Sequence, residues 1–110
     1  METVERFAAL VGEFAAQPDV EAPGDSNRRR FGADALKVNG SIFAMVVGGR
    51  LVVKLPRERV DALIGDGTGA PFASGKGRPM KEWLTVVDED LHRWLALSRE
   101  ALDFVRSIRT

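Results

Sequence analysis

The residues that could do chemistry are few: three glycine patterns, one histidine, an acidic triplet, a basic triplet and scattered serines. Gly65-Asp66-Gly67-Thr68-Gly69 has the look of a phosphate loop, but it follows a helical pattern. A dinucleotide fingerprint must follow a strand and open a helix, so that the pyrophosphate meets backbone N–H groups. The spacing from Gly69 to Gly75-Lys76 is one residue longer than a P-loop's, and Gly77 stands where a magnesium-holding Ser or Thr would be. Gly75, Lys76, Gly77 and Arg78 still bring backbone N–H groups and two cations together, and so form a candidate site for a small anion or phosphate ligand.

His92 has no second histidine or cysteine with which to complete a metal site, and reads as a solvated helix residue. Asp88, Glu89 and Asp90 are explained by capping of the helix that follows. Ser26, Ser41, Ser74 and Ser98 lie in no nucleophile-elbow context. No catalytic constellation, cofactor motif or metal motif emerges. The best basic feature is Arg28-Arg29-Arg30, with Lys37, Arg50 and Lys54 on nearby strands. Such groups could contact phosphates without reading sequence, although Asp25 and Asp34 dilute the run. Trp83 and Trp94 fall within apolar periodicity and are expected to be core anchors rather than base-stacking platforms.

The elements that must position these residues fit one domain spanning residues 1–110. The absence of cysteine excludes disulfides and thiolate nucleophiles and suits a reducing cytoplasm. Sixteen basic residues balance sixteen acidic ones, so no global field draws in nucleic acid or membrane. The acidic start Glu2–Glu5 is unlike a secretory signal, and no apolar run approaches the ~20 residues that span a bilayer.

Val4, Phe7, Ala8, Val11 and Phe14 recur at helical spacing and predict an amphipathic helix ending near Gln17-Pro18. Residues 17–30 read as a mobile loop rich in turn formers. Phe31 to Leu55 reads as a three-strand meander with two-residue turns at Asn39-Gly40 and Gly48-Gly49, dipeptides that tolerate positive φ. Those turns predict a register in which Val38 faces Ser41, Leu36 faces Phe43, Val46 faces Leu51, and Ala44 faces Val53. Pro56 then starts a helix with Val60, Leu63 and Ile64 inward and a stop at Gly65. Met80 to Val87 alternates as a strand, with a short partner around Pro71–Ala73. Asp88 is expected to cap a last helix whose buried stripe is Leu91, Trp94, Leu95, Ser98, Leu102, Val105 and Ile108. The fold class is therefore α+β: two layers in the order α-βββ-α-β(β)-α, an antiparallel sheet with helices mainly on one face.

One face of the meander carries Ala35, Ile42, Ala44, Val46, Leu51, Val53 and Leu55, interrupted only by Lys37, and is the expected core. The other mixes Leu36, Val38, Phe43, Met45 and Val52 with Asp34, Arg50 and Lys54. Three readings of that apolar second face stand open: cover by loops and long basic stems, a partner or dimer surface, or an inverted assignment of faces.

Several of these segments resemble the TfoX N-terminal-domain family, related in architecture to YjbR/MmcQ-like proteins. They are Phe31-Gly32, Leu36-Lys37-Val38, Ile42-Phe43-Ala44-Met45, Leu51 to Leu55, Pro71-Phe72, Gly75 to Trp83, and Glu100 to Val105. The resemblance implies a two-layer α+β domain with an antiparallel sheet. In longer members such a domain precedes a helical domain in regulators of competence gene expression, and YjbR-like relatives are often described as DNA-binding. This chain, ending at Thr110, reads as a single-domain form.

The expected function is a non-enzymatic, cytoplasmic, regulatory or protein-interaction domain without cofactor. Its partner surface would be Leu36, Phe43, Met45, Val52 and Lys54, including self-association. The alternatives are DNA binding through Arg28, Arg29, Arg30 and Arg50, and anion binding at Gly75–Arg78.

Overall fold

The structure is a computed structural model and describes residues 2–22, 35–73 and 79–108. In chain order its elements are α1 (Thr3–Phe14), β1 (Val20–Glu21), β2 (Ala35–Val38), β3 (Ser41–Val47), β4 (Arg50–Lys54), α2 (Arg57–Gly65), β5 (Gly69–Ala73), β6 (Pro79–Val86) and α3 (Leu91–Ile108). The strands form one antiparallel sheet in the order β1-β2-β3-β4-β6-β5. One continuous core lies between this sheet and residues from all three helices. The expected two-layer α+β arrangement is the one observed. Among the described residues no helix is long and apolar enough to cross a membrane.

Both meander turns form where the dipeptides predict. Asn39 and Gly40 have φ of 51° and 83°, and Gly48 and Gly49 have φ of 59° and 81°. Two successive positive φ angles define the hairpin turn whose twist matches its flanking strands. Val38–Ser41, Val46–Leu51 and Ala44–Val53 pair as expected. Leu36, however, pairs with Ala44 instead of Phe43, because the register slips between Leu36 and Lys37. The slip leaves Phe43 as the extra residue of a β-bulge, and a bulge re-aims the side chains beside it.

The core assignment changes accordingly. Ala44, Leu51, Val53 and Leu55 are core, and Val46 packs against it, as expected. Leu36, Val38 and Phe43, assigned to the outer face, are also core and fully buried. Ile42, expected inside, is only half-buried, and Ala35 is buried outside the main cluster.

Residues 17–22 are not wholly loop, since Val20–Glu21 forms an edge strand against Val38 and Lys37. The α1 stripe is Phe7, Leu10 and Phe14 together with Arg6; Val4 is 79% exposed and Ala8 is also exposed. In α3 the stripe is Trp94, Leu97, Ser98, Ala101, Leu102 and Val105, whereas Ile108 is 53% exposed. The cap of α3 is Asp90 rather than Asp88. The Asp90 carbonyl accepts the Trp94 N–H at 3.0 Å, and its carboxylate accepts the His92 N–H at 3.2 Å. Asp88 organises the preceding turn by accepting the Asp90 N–H at 2.9 Å.

Candidate binding groove

A depression of about 490 Å³ opens where β4 ends and β3 begins. Its walls are built by strand pairing. Lys37 and Ile42 are cross-strand partners at the β2–β3 turn, and Lys54 and Trp83 are partners between β4 and β6. Gly40 and Ser41 close one side, while the exposed Ile108 of α3 adds apolar surface above the buried Val105. Alternation explains why Lys54 stays out of the core: it follows Val53, whose side chain points in.

Two cations and one indole dominate this groove. The Lys54 ammonium lies 5.2 Å from the Trp83 ring centroid, within cation–π range, and 3.5 Å from a Glu82 carboxylate oxygen. Phe72 packs against the same indole, with ring centroids 6.5 Å apart and planes inclined at 55°. Lys37 makes no ion pair among the described residues, although Glu21 stands opposite it in the sheet. Among the described residues no carboxylate lines the depression itself. A smaller depression of about 230 Å³ lies on the other side of Trp83, among Val60, Ile64, Pro71, Met80, Arg57 and Asp61.

The sequence-predicted sites fare differently. Leu36, Phe43 and Val52 are each 0% exposed, and Met45 is half-buried, so the expected partner patch is not a surface. Leu36 and Phe43 are drawn inward by the bulge. Of that set, Lys54 lines the depression. Arg50 is exposed at the opposite end of β4, roughly 13 Å along the strand from Lys54 at ordinary strand rise. Arg28, Arg29, Arg30, Gly75, Lys76, Gly77 and Arg78 lie outside the described residues.

Trp94 is the core anchor expected of it, 1% exposed, with its indole N–H donating to the Asp88 carbonyl at 2.7 Å and Arg6 stacked over its ring at 4.9 Å. Trp83 is not a core anchor, being half-buried on the groove wall. His92 is exposed, and no group of three or more metal-ligating side chains occurs among the described residues. Ser98 Oγ is buried without a hydrogen-bond partner among the described residues, on the core stripe of α3.

The groove was missed because it depends on β4 pairing with β6, a contact that local periodicity does not encode. Its one signal was Lys37 interrupting an apolar face. Comparison with protein-family models, curated proteins and solved structures finds no match to this chain.

Proposed function

We propose that this chain is a non-enzymatic regulatory domain that works by binding an anionic ligand at the groove of Lys37, Ser41, Lys54 and Trp83. The observation that carries the reading is that two lysines, Lys37 and Lys54, and the Trp83 indole line one depression with no carboxylate among its described lining residues. These are groups that recognise a ligand: two point charges, a hydroxyl and an apolar ring. The volume falls within the usual range of small-molecule sites.

The reading keeps the cytoplasmic, regulatory role that the TfoX-like residues imply, and the absence of cysteine is consistent with a reducing compartment. It replaces the partner surface at Leu36, Phe43 and Val52, which has no exposed area to offer. A ligand that binds only the folded state raises apparent stability. Thermal unfolding in rising inorganic phosphate, matched for ionic strength with chloride, therefore tests it. The melting temperature is expected to rise in the parent chain and to stay level in Lys37→Met and Lys54→Met. An equal rise in all three would remove the groove from the reading.

A further inference from the structure

We propose, resting on the groove reading above, that the ligand is a small planar aromatic acid. Its ring would stack on Trp83 in place of the Lys54 ammonium, and its acid group would be held between Lys54 and Lys37. In the structure the Trp83 face is occupied by a cation from its own sheet partner, 5.2 Å from the centroid. That contact shows the indole face turned towards a groove-lining residue; such a face attracts cations, and an aromatic ring can stack on it in an offset geometry. Phe72 packs against the same indole and fixes its orientation, so the platform exists before a ligand arrives.

Among the described residues Lys54 is tethered only by this contact and by Glu82 at 3.5 Å, a pair whose side chains are 24% and 48% exposed. Its flexible stem allows the ammonium to swing from the ring to an acid group beside it. Ile42 and Ile108 supply the apolar surface a ring would need, and Ile108 is a large apolar side chain otherwise left 53% exposed at a helix end. Among the described residues no arginine lines the groove, so the acid is met there by point charges rather than a bidentate fork. A carboxylate and a phosphate satisfy that chemistry alike. A nucleic acid fits less well: the chain is neutral overall, and Arg50 stands at the far end of β4 rather than continuing the cationic track.

The test is a titration of the full chain, nitrogen-15 labelled, followed by NMR. The two tryptophans give two indole signals, of which Trp94 lies in the core and Trp83 on the groove. The probes are 2-naphthoate, 1-naphthyl phosphate, inorganic phosphate, neutral 2-naphthol and a short DNA duplex. Both naphthyl acids are expected to shift the Trp83 indole but not that of Trp94. They should bind at least about tenfold more tightly than inorganic phosphate or 2-naphthol, the scale of one stacked ring.

Trp83→Leu should abolish that tenfold gain while retaining phosphate binding. Lys37→Met, a change at a half-buried side chain outside the core, should weaken both acids and leave the far-ultraviolet circular dichroism unaltered. A difference between 2-naphthoate and 1-naphthyl phosphate assigns the acid. Phosphate binding with no gain from the ring overturns the aromatic class and leaves the anion reading standing. No response from any probe overturns both, and a response to duplex DNA alone overturns the small-molecule class.

Discussion

Phe14 of α1 and Phe43 of β3 meet edge to face in the core, ring centroids 6.0 Å apart and planes at 81°. This is a favoured aromatic geometry, and both rings are 0% exposed. The contact exists because the bulge opposite Leu36 turns Phe43 towards the helices. Phe43→Ala should therefore destabilise the fold by about 3–5 kcal/mol, a large share of the roughly 5–15 kcal/mol available to a domain of this size. Phe43→Glu should leave no cooperative unfolding transition in urea. A folded, merely monomeric Phe43→Glu variant would restore the surface reading of this residue.

The extent to which the fold was legible follows from the range of each signal. Asn39-Gly40 and Gly48-Gly49 act over two residues and specified both hairpins. The 3.6-residue stripes placed all three helices, and the alternation of Leu84 and Val86 with Trp83 and Thr85 placed β6. A turn fixes register only for the pairs nearest to it. One extra residue at Phe43 exchanges faces beyond that point, which is why Leu36 and Phe43 were assigned outward. The groove was illegible for a related reason: Lys54 and Trp83 are brought together only by β4–β6 pairing, with α2 and β5 intervening in the chain. Val20–Glu21 is too short for any period to reveal it.

Among the described glycines, Gly69 is the one at which packing forbids a side chain. A Cβ there would lie 2.5 Å from Leu84 Cδ1 and 2.8 Å from the Thr85 carbonyl oxygen, and Leu84 is fully buried. Gly69→Ala should cost about 1–3 kcal/mol as β5 is pushed from β6. Gly65→Ala, where nothing lies within 4 Å, should be neutral or slightly stabilising. Paired urea denaturation curves check the contrast, and equal midpoints for the two variants would refute it.

Asp66 gives the fold an acid-sensitive turn. The Thr68 hydroxyl and then the Thr68 N–H, at 2.9 Å, hydrogen-bond its carboxylate; burial opposes them, and the positive charges of Arg93 and Arg59 add smaller contributions. Together they hold it below its ordinary value of 3.8. Because the folded value is the lower one, the stabilisation is complete above 3.8 and is lost as pH falls through the folded value. The Thr68 hydroxyl also accepts a hydrogen bond from Arg93 at 2.9 Å, so the same turn is tied to α3. Asp66→Asn should lower the melting temperature near neutral pH, and the difference from the parent should shrink in acid. Melts between about pH 2 and pH 7 measure this, and a pH-independent difference would show that the carboxylate charge is not involved.

Arg106 closes α3 against the segment before β1. Its guanidinium donates to both Asp19 carboxylate oxygens at 2.8 and 3.0 Å and to the Gln17 side-chain oxygen at 2.6 Å. The Asp19 carbonyl in turn accepts the Asn39 N–H at 3.4 Å, so the clasp reaches the β2–β3 turn. The ion pair is about one-third exposed on each side and is partly screened by solvent. Arg106→Ala should therefore cost only about 1 kcal/mol globally. Its clearer effect is local: amide exchange at Val20 and Asn39 should accelerate more than at Val53 or Leu84 in the sheet centre. Arg106→Lys keeps the charge but loses the fork, and should fall between the two. A uniform loss of protection across the sheet would mean that Arg106 stabilises the whole domain and does not specifically hold β1.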